Sequence, residues 1–183
     1  IAIYHGVVFN EQEANGICKN LLDTIPWKQD EVVIFGKKII TKRKVAWYAD
    51  AGICYTYAGV KKSGLEWTSA LFGIKQKVEA MTGAKYNACL LNLYHEGEEG
   101  MGWHQDNEKE IVEASSIASL SFGAVRKFAF KHAKTNERVD IELAHGSLLD
   151  MKGTIQANWY HSLPKTTRVK QVRINLTFRL MHA

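Results

Sequence analysis

Residues 86–95 read Tyr86-Asn87-Ala88-Cys89-Leu90-Leu91-Asn92-Leu93-Tyr94-His95. Upstream of Gly83, apolar residues recur at helical spacing. From this stretch onward the pattern alternates with a period of two, the signature of a strand. The same alternation returns in residues 117–122, 126–132, 137–143, 146–151, 159–163 and 171–180. Turn signals separate these segments: Glu96-Gly97, Gly123, Thr135-Asn136, His145-Gly146 and Gly153. Many short strands at this spacing build a sandwich or a jelly roll.

Two helices precede the strands. Asn10 followed by Glu13 reads as a capping box, after which Ile17, Leu21 and Ile25 recur along one face. Trp67, Leu71, Ile74 and Val78 form a second apolar stripe, stopped by Thr82-Gly83. Helices first and strands second give an α+β chain. With 183 residues, two prolines, no repeat and no linker, one domain is expected. Residue 1 is Ile rather than Met, so a longer parent chain is expected. No apolar run approaches the ~20 residues of a membrane span. Cys18, Cys54 and Cys89 are odd in number and unpaired in spacing, which argues against a disulfide framework or a zinc knuckle and fits a reducing compartment.

The net charge of +5 is compatible with a polyanionic partner without requiring one. Its distribution is more informative. Residues 37–44 read KKIITKRK, and Lys165, Arg168, Lys170 and Arg173 form a second cluster. A run like the first, taken alone, is more often a solvated loop or an edge strand that its lysines protect.

Trp103-His104-Gln105-Asp106 is the segment that carries chemistry. Residues two apart on a strand share a face, so His104 and Asp106 can reach one ion. Together they are the local half of a two-histidine, one-carboxylate Fe(II) site with open positions. The second histidine must come from His5, His95, His132, His145, His161 or His182. His161, inside an apolar strand, is the favoured candidate and His145 the next. Farther on, Arg173, Asn175, Thr177 and Arg179 share one strand face, opposite Ile174, Leu176 and Phe178. Two arginines so spaced can grip both ends of a small dicarboxylate. Asn92 and Tyr94 also share a face and offer further donors.

Taken together, Asn92-x-Tyr94, His104-x-Asp106, His161-Ser162-Leu163-Pro164 and Arg173-x-Asn175-x-Thr177-x-Arg179 resemble the AlkB family over nearly the whole chain. Its members are Fe(II)- and 2-oxoglutarate-dependent dioxygenases that dealkylate nucleic-acid bases. Further marks resemble the branch acting on double-stranded DNA: Ile34-Phe35-Gly36, Tyr48-x-Asp50-Ala51-Gly52, Tyr55-Thr56-Tyr57-x-Gly59, Ser119-x-Ser121-Phe122-Gly123 and Ala144-His145-Gly146-Ser147-Leu148-Leu149.

The resemblance implies a double-stranded β-helix (jelly-roll) core over residues 84–183, with helices and a nucleotide-recognition lid over residues 1–83. It implies that His104, Asp106 and His161 bind Fe(II). Asn92, Tyr94, Arg173, Thr177 and Arg179, with Asn175 on the same face, are then the 2-oxoglutarate residues, and Arg179 joins the catalytic set. O₂ is the further co-substrate. Glu108 is implied to recognise the damaged base, Tyr57 to stack on it, Ile34-Phe35-Gly36 to fill the gap in the duplex, and Arg43 to touch the DNA backbone. Lys165-Thr166-Thr167-Arg168 is less basic than that branch has it. The activity implied is oxidative demethylation of 1-methyladenine and 3-methylcytosine type lesions by base flipping, releasing formaldehyde, succinate and CO₂. The partner implied is alkylated DNA, duplex favoured and single strands allowed, with no membrane. A monomer is expected, intracellular, and cytoplasmic if bacterial or nuclear if eukaryotic. The rival readings are an oxygenase of RNA, protein or a small molecule, and a non-catalytic jelly-roll module that binds nucleic acid.

Overall fold

Asn10 accepts a 2.9 Å hydrogen bond from the Glu13 amide and so opens α1 (Glu11–Thr24). Thr68 does the same through Leu71 for α2 (Ser69–Thr82), and Gly83, at φ 71°, ends that helix in the left-handed conformation. A computed structural model describes residues 1–57 and 60–183, without the side chains of Tyr57 and Val60. The base-stacking ring expected at Tyr57, and Gly59 of its motif, therefore lie outside the described residues.

Around the helices run β1 (Ala2–Val7), β2 (Lys28–Ile34), β3 (Lys37–Ala49), β4 (Cys54–Tyr57) and β5 (Val60–Ser63). After α2 come β6 (Ala88–Tyr94), β7 (Met101–His104), β8 (Ile117–Gly123), β9 (Arg126–His132), β10 (Arg138–Leu143) and β11 (Ser147–Met151). A short α3 (Ile155–Asn158), β12 (Trp159–Leu163) and β13 (Arg173–Arg179) complete the chain. The seven segments that alternate in the sequence are all strands, with ends within two residues of those expected.

The strands form a seven-stranded sheet, β1-β11-β8-β13-β6-β3-β2, a four-stranded sheet, β10-β9-β12-β7, and the pair β4-β5. Among the described residues the ladders of the two larger sheets are antiparallel. This is the jelly-roll arrangement. The helices pack on one face of the large sheet, where Leu21, Leu71, Ile74 and Val78 meet Leu91, Leu120, Leu148, Ile174, Leu176 and Phe178. The other face meets the small sheet through Ile117, Phe128, Phe130, Leu149, Met151 and Leu163. Burying such a side chain completely contributes roughly 1.5–3 kcal/mol.

Residues 1–83 also supply strands to the core. β1 pairs with β11, and β3 pairs with β6, so the large sheet crosses the expected boundary at residue 83. β1 lacks a clean alternation: its exposure is irregular, and its ladder with β11 shifts register between Tyr4 and Gly6.

Candidate metal and co-substrate centre

β13 explains how a polar strand face comes to be inside the protein. Ile174, Leu176 and Phe178 point at the helices, and Arg173, Asn175 and Thr177 point between the sheets, all of them buried. The polar face is therefore enclosed rather than solvated. Neighbouring β6 turns Asn92 and Tyr94 the same way, with Asn175 opposite Asn92 and Arg173 opposite Tyr94. These residues, with His104, Asp106, His161, Thr177 and Arg179, line one narrow cavity of about 70 Å³.

The small sheet brings the metal ligands to the cavity. β12 places His161 directly across from His104 on β7, and Asp106 follows two residues past that strand. The ligand atoms of the three lie within 4.8 Å of one another, and they are the one such group among the described residues. His104 Nε2 is 3.7 Å, and His161 Nε2 4.0 Å, from Asp106 Oδ1. His104 Nδ1 lies 2.8 Å from the Gly102 carbonyl. A carbonyl only accepts, so that nitrogen carries the proton and Nε2 keeps its lone pair for an ion.

The electrostatics suit a cation. Burial lowers the pKa of His161 to about 4, so its imidazole is neutral and able to ligate. Burial alone would raise the pKa of Asp106, but Arg179, His161 and His104 together hold it below the usual carboxylate range. Arg179 Nη2 sits 3.1 Å from Asp106 Oδ2, leaving Oδ1 toward the histidines. The Asp106 amide donates to Gln156 Oε1 at 2.9 Å, and Phe128 stacks on the His161 ring. Neither Gln156 nor Phe128 was singled out in the sequence, because nothing in the spacing links them to the site.

A dianion suits the deeper end. Arg173 is 2 % exposed and donates to Ser121 at 3.0 Å. Burial lowers its pKa to about 10, so it remains charged at neutral pH. The Nε atoms of Arg173 and Arg179 are buried without a hydrogen-bond partner. Orphaned cationic donors at two points of a cavity match a small dicarboxylate. Burial raises the pKa of Tyr94, so its phenol keeps a proton to donate. Asn175 is engaged within the sheet instead. It donates to Ser119 at 2.7 Å and to the Leu120 carbonyl at 3.2 Å, and accepts from Thr177 at 2.8 Å.

His145, the second candidate for a ligand, lies at a turn, accepting from the Gly123 amide at 2.8 Å and facing Asn15. Glu108 is exposed just beyond the metal Asp, near enough for its charge to act on Arg179. Ile34, Phe35 and Gly36 form the tip of the β2–β3 hairpin. Phe35 and Gly36 both have positive φ, 49° and 75°, as a two-residue turn between paired Ile34 and Lys37 requires. Phe35 is 101 % exposed. A phenylalanine held in left-handed backbone and in water carries strain that local packing does not repay.

Arg43 corrects an expectation. Instead of facing a DNA backbone, it is buried. Its Nη1 donates to Asn92 Oδ1, and its Nη2 donates to Asp30 Oδ2 at 2.9 Å. The strand alternation turns it inward while Lys42 stays exposed and Lys44 half-exposed. The second basic cluster divides as well. Arg173 belongs to the cavity, whereas Lys165 and Arg168 line an open groove of about 710 Å³ with Lys42, Glu96, Glu98 and Glu99. A residue missed in the sequence is Arg126, 2 % exposed, which donates to the carbonyls of Glu96, Gly97, Glu99 and Pro164.

A jelly roll enclosing a His-Asp-His cluster beside the buried Arg173 and the largely buried Arg179 defines an oxygenase centre. The model of the 2OG-Fe(II) oxygenase superfamily matches residues 1–179, and the chain belongs to that family. His104, Asp106 and His161 fit its iron, and the unpartnered arginine donors lining the same cavity suit the carboxylates of 2-oxoglutarate. More particularly, the chain is similar to the DNA oxidative demethylase ALKBH2 of Mus musculus, 39% identical over 184 residues that cover 94% of this chain and 77% of that protein. The Homo sapiens ALKBH2 is also 39% identical over 184 residues, covering 94% and 70%. The alpha-ketoglutarate-dependent dioxygenase alkB homolog 3 of Rattus norvegicus is 34% identical over 192 residues, covering 100% of this chain and 64% of that one. A solved structure described as "The structure of OsALKBH1" superposes with a TM-score of 0.67 at 13% identity over 97% of both chains, which supports the fold.

Proposed function

We propose that the chain oxidatively demethylates bases in DNA, of the 1-methyladenine and 3-methylcytosine type, after flipping the base from the helix. Duplex is the favoured substrate, the working unit is a monomer, and the setting is intracellular. The observation that carries the DNA reading is the hairpin tip. A fully exposed Phe35 in strained backbone, followed along the same hairpin by the exposed Lys37, Lys38 and Lys42, has the chemistry of a wedge backed by phosphate-binding cations. The similarity to proteins named DNA oxidative demethylases supports it.

When bound, Fe(II) and 2-oxoglutarate supply an O₂-driven hydroxylation of an N-methyl group, coupled to decarboxylation of the keto acid to succinate and CO₂; the hydroxymethyl product loses formaldehyde. The chain's own residues do the rest. His104, Asp106 and His161 would hold the ion, a two-histidine, one-carboxylate set that leaves coordination positions for co-substrates. Arg173 and Tyr94 hold one end of the dicarboxylate, and Arg179 steadies Asp106. Met101, Phe128 and Leu163 keep water from the cavity. Glu108 offers a negative charge to a cationic methylated base at the mouth. Phe35 offsets part of the few kcal/mol that unstacking costs.

The test is turnover of a methylated oligonucleotide, single- and double-stranded, with Fe(II) and 2-oxoglutarate. Formaldehyde and succinate released in step with restored bases support the proposal. Tight 2-oxoglutarate binding with no turnover of either DNA, alongside turnover of methylated RNA, overturns the DNA reading and keeps the oxygenase.

A further inference from the structure

Arg43 and its two partners lie where the finger hairpin meets the cavity. β2 and β3 pair with a register shift between Gln29 and Glu31, so Asp30 sits in an irregular step of the ladder. Such a step re-aims side chains. Here Thr41 ties it off, donating to the carbonyls of Asp30 at 3.2 Å and Arg43 at 2.7 Å. On the next ladder Val45 pairs with Asn92, which puts Arg43 on the cavity side, diagonal to Asn92. The Arg43 side chain is 9% exposed, against 64% for Lys38 farther out on the same strand.

A guanidinium only donates, so the end of the Asn92 carboxamide facing Arg43 must be its oxygen. The NH₂ end is then the one left for the cavity that Asn92 lines. Without Arg43 the amide is free to turn its oxygen to the cavity, where it repels an anion. The charge acts in the same sense, since Arg173, Arg43 and Arg126 all act on the Tyr94 phenol.

We propose that Arg43 is a positioning residue for 2-oxoglutarate: it fixes the Asn92 amide with its donor end toward the co-substrate and, through Asp30, joins that amide to the β2–β3 hairpin. This rests on the cavity being the 2-oxoglutarate site. It does not depend on DNA being the substrate.

The test is calorimetry of 2-oxoglutarate binding to the Mn(II)-loaded protein without O₂, with affinity for a methylated duplex measured alongside. Arg43→Ala is expected to weaken 2-oxoglutarate about tenfold, the size of one lost hydrogen bond to a charged group, with duplex affinity unchanged. Asp30→Asn shifts the same affinity in the same direction by less. Asn92→Ala matches Arg43→Ala, and the double variant is no weaker than Asn92→Ala alone, because both remove one donor. Should Arg43→Ala not fold, Arg43→Met, which keeps the buried stem and removes every donor, carries the same expectation. Unchanged 2-oxoglutarate affinity with weakened duplex binding, or additive losses in the double variant, overturns the assignment. Wild-type protein that binds 2-oxoglutarate but fails to turn over methylated DNA sinks the substrate reading and leaves Arg43 where it is. Wild-type protein that does not bind 2-oxoglutarate with Mn(II) overturns the cavity reading and this inference together.

Discussion

At the scale of residues, two imidazoles and one ionised carboxylate converge on a point that Arg179 and Gln156 hold in register. Replacing His104, Asp106 or His161 by Ala is expected to cut turnover of a methylated oligonucleotide at least ~100-fold, since an open-sided site has no spare ligand. DNA affinity, read by anisotropy, is expected to persist because these ligands are remote in sequence from the lysines of the hairpin. His161 also predicts a pH effect. Its pKa falls from 6.5 in the unfolded chain to about 4 in the fold. Between those values the unfolded chain binds more protons, so the chelator-treated protein loses stability as pH drops from 6.5 to 4, by up to about 3 kcal/mol. Melting curves across that range, compared with His161→Phe, test this. The variant should lose that part of the slope, and an equal slope in both sinks the assignment.

At the scale of elements, the β2–β3 hairpin and the loop over residues 96–100 are built differently. The hairpin exposes Ile34, Phe35 and Ile40 and is free to meet a partner. Phe35→Ala is expected to slow action on duplex several-fold more than on single strands, because only a duplex has a gap to fill. Initial rates on matched substrates decide, and equal effects remove the wedge. The loop is clamped by Arg126, and the Gly97 position has no room for a side chain, since a Cβ would lie 2.3 Å from the Thr166 carbonyl. Arg126→Ala strands the carbonyls it holds and is expected to lower stability by ~3 kcal/mol. Chemical denaturation checks that figure; a change below ~1 kcal/mol means the carbonyls find other donors.

At the scale of the whole molecule, the cavity lies between the two sheets and takes residues from β6, β7, β8, β9, β11, β12 and β13. Filling it should therefore stabilise the entire sandwich. At 100 times its dissociation constant a ligand adds about 2.7 kcal/mol, or roughly 5–10 °C in a domain of this size. Mn(II) with 2-oxoglutarate is expected to raise the melting temperature by that amount, and His104→Ala to abolish the gain. A gain that survives in His104→Ala places the ligand elsewhere.

Local patterns determined much by themselves. The capped helices and seven strands follow from side-chain period and backbone preference, which act over a few residues. His104-x-Asp106 was legible because its two ligands are neighbours in sequence. Tertiary structure decided what depends on distant partners. It set His161 opposite His104 and sent His145 to a turn. It enclosed the polar face of β13 between sheets, and drew β1 and β3 into the large sheet. It also turned Arg43 inward to Asn92 and recruited Arg126, Gln156 and Phe128. Alternation gives every strand residue one of two faces, but which face meets water depends on what packs there, and that is a property of the assembled sheets.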